Sequence, residues 1–301
     1  MNLFTGIARR TRSWLHGGDA HERTLEVMGR LLSEQVRAKH DIRSLKDVEF
    51  RIFSQWGDDG IIQWLIAQLP AIPKRFVEFG VEDYSESNTR FLLVNDNWSG
   101  LVMDGSAANM ARLRRRPWFW RHDLTAQVLF VTRDNVDPTI ANWLGNRELG
   151  LLHIDVDGND YWLWEAISCT NPPLVIMEYN ALFGSERAVT VPYAADFQRQ
   201  RAHYSGQYFG ASLGALAHLA ESKGYSLIGS NSAGNNAYFL RHDFVGERLS
   251  ARSVAEAFVE PKFRDSRDEA GQLDFQTFQQ KQTMIRGLPV LNVENGKSEP
   301  F

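Results

Sequence analysis

The sequence predicts an α/β fold: a doubly wound, mostly parallel sheet that ends in an antiparallel hairpin and is preceded by helices. Three observations predict it. Short apolar runs recur through the middle of the chain with helix-length segments between them, the spacing of βαβ units. Most of these runs end in an acidic or hydroxyl residue, as buried parallel strands do where they give way to ligand-binding turns. The last two runs are joined by Ser230-Asn231-Ser232-Ala233-Gly234-Asn235-Asn236, a stretch rich in Asn and Gly that suits a hairpin turn. No repeat, low-complexity tract or Pro/Gly-rich linker divides the chain. We therefore expect a core over 51–245, a helical extension over 1–50 before it, and a second extension over 246–301 packed on that core.

In chain order, Met1 to Gly17 mixes Leu3, Phe4, Ile7, Trp14 and Leu15 with Arg9, Arg10 and Arg12. It has neither the apolar core nor the cleavage site of a signal peptide, and it is too polar to span a membrane. As a basic amphipathic helix, residues 1–16 would either touch an anionic membrane surface or dock on the protein. Between His21 and His40, Leu25, Met28, Leu31, Leu32 and Val36 recur at helical spacing. This helix is free to pack on the core or on a second subunit, which makes a homo-oligomer one expectation. Phe53-Ser54-Gln55-Trp56-Gly57-Asp58-Asp59-Gly60 reads as a turn that starts a helix through Leu69, with Ser54-Gln55 as a possible lip of a ligand site.

The first core strand is expected at 75–79, a helix at 86–95 and the second strand at 101–103. Arg112, Arg114, Arg115 and Arg116 with Trp118 and Trp120 form the strongest basic and aromatic cluster. It is either a solvated face or a contact for an anionic glycan, a lipid headgroup or another subunit. Further strands are expected at 128–131, 149–156 and 174–177. A polar loop over 183–208 follows, then a helix from Ser212 through Lys223 and the hairpin strands 225–229 and 237–241. The charged tail carries one helix over 273–284, stopped by Gly287-Leu288-Pro289.

Hydrophobic residues make up 43% of the 301, enough for a packed globular core. A formal net charge of -4 lacks the basic footprint of a phosphate-binding surface, so no nucleic-acid partner is expected. Cys169 is the single cysteine and cannot form an internal disulfide. Cytoplasmic residence is expected, with peripheral contact at the inner face of the membrane if residues 1–16 bind there.

Ligands of such sheets gather beyond the carboxyl ends of the strands, where Glu78, Asp104, Thr132, Asp155 and Glu178 fall. Glu78-Phe79-Gly80 and Asp104-Gly105-Ser106 each join an acid to a glycine. Glycine lets backbone approach a ligand closely, and the acid of the second run suits a ribose diol. A nucleotide-like ligand is the first expectation.

The order Glu78-Phe79-Gly80, Asp104-Gly105-Ser106, Ile154-Asp155-Val156-Asp157-Gly158-Asn159-Asp160 and a closing hairpin resembles a class I S-adenosylmethionine-dependent methyltransferase, a Rossmann-like fold. Within it the chain is most similar to the FkbM-like group, over about Phe53 to Arg241. The resemblance implies that Glu78, Gly80 and the turn through Glu82 hold the methionine part of the cofactor. It also implies that Asp104 accepts the ribose hydroxyls, that Gly105 and Ser106 belong to the cofactor site, and that Thr132 with its neighbours borders adenine. Two departures stand out: Gly80-Val81-Glu82-Asp83 replaces a Gly-x-Gly-x-Gly run, and Asp157 replaces a glutamate.

Methyl transfer to a hydroxyl needs alignment and a base. Asp155, Asp157, Asp160, Glu178 and His203 are the catalytic candidates, although Asp157 would serve equally as a helix cap. Asp155, Asp157 and Glu178 are the candidate ligands for Mg²⁺. Trp162, Tyr179, Tyr204 and Tyr208 would stack on sugar faces or sit in the core or a lid, and Asn180 would bond to hydroxyls. The expected reaction is O-methylation of a sugar hydroxyl in a glycan, glycolipid or glycosylated natural product. Two rivals stay open. One is an NAD or nucleotide-sugar enzyme, for which Gly-x-Gly-x-x-Gly is missing, and the other is a non-catalytic scaffold that binds a glycan or partner.

Overall fold

The computed structural model describes residues 21–301. Helix α1 covers 21–37, and the chain continues through α2 (Asp58–Gln68), β1 (Arg75–Phe79), α3 (Arg90–Asp96), β2 (Ser99–Asp104), α4 (Ala107–Arg114) and β3 (Leu124–Val128). Then come α5 (Val136–Leu144), β4 (Leu151–Ile154), α6 (Asp160–Ala166), β5 (Leu174–Glu178), β6 (Val189–Thr190) and α7 (Arg199–Ala202). The chain closes with α8 (Leu213–Ser222), β7 (Tyr225–Ser230), β8 (Asn236–Arg241), α9 (Val254–Ala257), α10 (Phe278–Met284), β9 (Pro289–Asn292) and β10 (Lys297–Pro300). The element expected over residues 1–16 lies outside the described residues.

Seven strands form one sheet in the order β3-β2-β1-β4-β5-β8-β7, parallel from β3 to β5, with β8 antiparallel to both of its neighbours. Strand order reverses between β1 and β4, and that is where the loops beyond the sheet diverge to leave a crevice. Alternation along β1 explains the two layers. Val77 and Phe79 pack with Ile140, Leu163 and Leu216 on one face, while Phe76 packs with Ile61, Leu92 and Leu113 on the other. The expected α/β class, mostly parallel sheet and closing hairpin are all present. Among the described residues no helix is long and apolar enough to cross a membrane.

Three expectations need correction. The third strand is Leu124–Val128 rather than 128–131. As an edge strand covered on one face it alternates buried Leu124 and Ala126 with more exposed Thr125 and Gln127, so its apolar signal is weak. The louder run after it leaves the sheet, and Phe130 stands 48% exposed.

The polar loop and charged tail are not irregular: β6 from the loop pairs antiparallel with β9, and β9 with β10, in a second three-stranded sheet. Leu182, Phe183, Val189, Tyr208, Ile285 and Val290 form a core beneath it. Helix α10 begins only at Phe278, where Thr277 and Gln280 make a reciprocal cap.

The apolar stripe of α1 is also divided. Val36 is buried, and Ser33 and Arg37 bond to Gln63, whereas Met28 and Leu31 face outward at 51% and 59% exposure. The arginine cluster is held locally. Arg112 and Arg116 approach Asp83 at 3.5 and 3.4 Å, Arg114 donates to the Ala126 carbonyl, and Trp118 lies over Arg90.

Candidate functional site

The turns after β1 and β4 touch through their backbones. Gly80 has φ +70°, and a Cβ there would lie 1.6 Å from the Asp155 carbonyl oxygen. Only glycine fits such an approach in that conformation. The turn continues through Glu82, also at positive φ (47°), whose amide donates to Asp104 Oδ2 at 3.0 Å. Asp104 Oδ1 accepts from the Ser106 amide (2.7 Å) and Asn109 Nδ2 (3.2 Å). Oδ2 keeps a lone pair for a further donor.

A cavity of about 420 Å³ opens here, bounded by Gly80, Glu82 and Asp104-Gly105-Ser106 on one side and by Leu129, Phe130, Val131 and Phe197 on the other. Its acids Glu82, Asp104, Asp155 and Asp157 face the apolar wall of Leu129, Phe130, Val131 and Phe197.

A second cavity of about 260 Å³ adjoins it, sharing Gly80, Glu82, Asp155 and Asp157. Its remaining wall is mostly polar, including Gln55, Asn88, His153, Glu178, Arg199, Asn235 and Asn236. Asp157, at φ +57°, turns toward Arg199 and pairs with Nη1 at 2.8 Å. Arg199 lies 3.8 Å over the Phe209 ring and also grips Asp265, which Lys281 holds in turn. The tail thereby fixes one wall of the cavity.

Asp160 closes the 156–160 turn, accepting from the Val156 and Gly158 amides at 2.8 and 2.9 Å. Carboxylate oxygens of Asp155, Asp160 and Glu178 lie within 4.8 Å of one another. Burial, reinforced by the charge of Asp157, pushes Asp155 up to about 7. Burial also pushes Asp160 to about 6 despite its two amide donors, and burial with the charges of Asp155 and Asp157 holds Glu178 well above the usual carboxylate range. Glu178 Oε2 is buried and has no hydrogen-bond partner among the described residues.

Behind this wall, Glu78 accepts from Ser87 Oγ (2.5 Å), the Asn88 amide (3.0 Å), Thr89 Oγ1, the Thr89 amide (3.3 Å) and His153 Nδ1 (2.8 Å). It borders the cavity, but its carboxylate is taken up by the protein.

Of the residues expected at the site, Glu78, Gly80, Glu82, Asp104, Gly105, Ser106, Asp155, Asp157 and Glu178 line one or both cavities. Thr132 does not. Its amide donates to Asn135 Oδ1 at the start of α5, and Leu129 to Val131 take its place at the wall. Asp160 lines neither cavity, and His203 is spent on Ser205 Oγ (2.7 Å) and on the Tyr204 ring in the loop after α7. The close carboxylate trio contains Asp160 in place of Asp157.

The sugar platforms are not present as expected. Trp162, Tyr179 and Tyr208 are buried with their polar atoms on backbone carbonyls, Tyr204 lies outside both cavities, and Asn180 ties down the Gln207 and Phe209 carbonyls. The sequence reading missed His153, Asn88, Arg199, Asn235 and Asn236. The only available signal was Asn235-Asn236, which it treated as turn composition.

No family model and no curated protein matches the sequence. Among solved structures the chain is similar to an S-adenosylmethionine-dependent methyltransferase from Clostridium acetobutylicum ATCC 824, at 9% identity over 61% of this chain and 90% of that one, with TM-score 0.39. It is also similar to the O-methyltransferase from Bacillus cereus in complex with SAH, at 12% identity over 72% and 89%, TM-score 0.36. A third is the N-terminal domain of EvdMO1 in the presence of SAH and D-fucose, at 11% identity over 58% and 77%, TM-score 0.38. Identities and scores this low carry no functional weight of their own.

Proposed function

We propose that this chain is an S-adenosylmethionine-dependent O-methyltransferase of the FkbM-like kind, acting on a sugar hydroxyl of a glycan, glycolipid or glycosylated natural product. One observation carries the reading. Two cavities of different character share the edge Gly80, Glu82, Asp155 and Asp157, so a nucleoside-type pocket opens directly onto an acid-lined polar one. The residues of the first fit the cofactor: Asp104 for the ribose hydroxyls, Gly80 and Glu82 beside the amino-acid end, and Leu129, Phe130 and Phe197 for the base. Bound S-adenosylmethionine would supply an electrophilic methyl group.

The chain's own work is alignment and proton removal. Gln55, Asn88, Asn235 and Asn236 line the polar cavity with side-chain amides, which suits recognition of an acceptor with several hydroxyls by hydrogen bonds. Asp155, with its proton affinity raised to about 7, is suited to accept a hydroxyl proton near neutral pH.

Calorimetry tests the first half. S-adenosylmethionine and S-adenosylhomocysteine are expected to bind and NAD is not. Asp104→Ala should weaken both by about tenfold to a hundredfold, the worth of hydrogen bonds to a charged acceptor. Absence of binding by either sulfur compound would overturn the proposal. For the second half, Asp155→Asn is expected to keep cofactor binding while transfer to a glycan acceptor drops by about 10²–10⁴-fold. Unchanged turnover would remove Asp155 from the reaction.

A further inference from the structure

We infer that the acids at the ends of β4 and β5 form a binding site for a divalent cation, with Asp155, Asp160 and Glu178 as ligands and Asn236 in the wall beside them. The inference bears on the proposed transfer, because with an ion bound Asp155 would be a ligand and not a free base, and the ion would lower the pKa of an acceptor hydroxyl in its place; the titration below reads the site whichever reaction the cleft runs.

Charge is the first argument. Asp155, Asp160 and Glu178 converge on one corner, and the cations nearest them are held by other acids: Arg199 by Asp157 and Asp265, and His153 by Glu78. Packing carboxylates this closely without a counter-charge is costly in a protein interior.

Spacing is the second. Two ligands of one ion can be no further apart than twice the bond length, roughly 4.6–5.2 Å for Ca²⁺ and roughly 4.0–4.2 Å for Mg²⁺. The three oxygens lie within 4.8 Å of one another, a spacing that the larger ion can bridge with little movement and the smaller only after contraction. An all-oxygen donor set selects this hard class of cation.

The third argument comes from atoms outside the acidic trio. Asn236 is 3% exposed and lies opposite Glu178 in the β5–β8 register. Its Nδ2 donates to the Asp58 carboxylate at 3.1 Å, so the amide cannot turn over without setting oxygen against oxygen. Asn236 is a wall residue of the cavity, and its Oδ1 is therefore left buried with no hydrogen-bond partner among the described residues. Glu178 Oε2 is in the same position. Buried acceptors normally find a donor, and a cation serves where no N–H or O–H points.

The test is a titration of the full chain with Mn²⁺ followed by electron paramagnetic resonance, with Mg²⁺ and Ca²⁺ as competitors. One ion per chain is expected, with a Kd below about 1 mM. Glu178→Gln and Asp155→Asn should each weaken it more than about tenfold, and Asp157→Asn less than about threefold because Asp157 faces Arg199. Circular dichroism checks that each variant is folded. A rise in the wild-type melting temperature with Ca²⁺, reversed by EDTA, tests the same site without any substitution. Absence of bound Mn²⁺ together with an unmoved melting temperature would overturn the inference, leaving a proton shared between the carboxylates as their neutralisation. Binding indifferent to Glu178→Gln and Asp155→Asn, or weakened as much by Asp157→Asn, would overturn the ligand set.

Discussion

Gly80→Ala is expected to destabilise the protein by about 2–5 kcal/mol and to abolish ligand binding in the cleft. Two costs add. A residue with a Cβ at φ +70° pays about 1–2 kcal/mol for the left-handed conformation alone. The Cβ would also lie 1.6 Å from the Asp155 carbonyl oxygen and 2.8 Å from its carbon, and that neighbour is backbone, which cannot swing aside. Relief requires the turns after β1 and β4 to separate, although Val77↔Leu152 and Glu78↔His153 pair just upstream. Overpacking of this sort costs roughly 1–3 kcal/mol more.

The displaced residue is Asp155, which lines both cavities, so binding and folding should fail together. Urea denaturation of wild type and variant, with calorimetry of S-adenosylhomocysteine, checks both. A change within about 0.5 kcal/mol would mean that the two turns do not meet as described.

Gly80 also marks how much could be read from the chain. A strand buried on both faces advertises itself as an apolar run, which is why Phe76 to Phe79, broken only by Glu78, and Leu174 to Met177 were legible and the acids in or beside them could be named. Edge strands and long-range pairs leave no such trace. β3 hides half its residues as Thr125 and Gln127, and two-residue β6 exists only because Val189 and Thr190 meet Asn292 and Leu291 about a hundred residues later.

The site divides in the same way. Asp104 and Asp155 were legible from their place at strand ends. His153 became part of the wall only because the register sets it beside Glu78, and Arg199 because α7 brings it across to Asp157. Asp157 and Asp160 exchanged roles for a local reason: within a single turn one carboxylate caps the amides and the other turns out to the arginine.

Glu78→Gln is expected to lower stability by about 3–5 kcal/mol at neutral pH, the cost of removing one partner from a buried ion pair. Five donors converge on this carboxylate, and an amide in its place would turn an N–H against some of them. Burial alone would raise Glu78, yet the bond and charge of His153 and the hydroxyls of Ser87 and Thr89 hold it below its ordinary value. Burial likewise works against a charged His153, but Glu78, with Asp155 behind it, holds the imidazole above its ordinary 6.5.

The two shifts bound a window of pH. His153, raised on folding, contributes stability that is complete below its unfolded pKa and is lost as pH climbs through the folded one. Glu78, lowered on folding, contributes stability that is complete above its unfolded pKa of about 4.5 and is lost as pH falls through the folded value. The pair is therefore strongest between about 4.5 and 6.5, and the wild type should lose stability from this source as pH rises above that range.

Glu78→Gln should reverse the sign of this contribution. Without its partner the buried imidazole is pushed down by burial, so raising the pH no longer removes a stabilised charge. Asp155, Asp160 and Glu178, raised on folding, make stability fall with pH in both proteins, so urea midpoints measured from about pH 5 to about pH 9 should fall more steeply in the wild type than in the variant. Parallel profiles would mean that His153 takes no charge from Glu78 and that the pair is an ordinary neutral hydrogen bond.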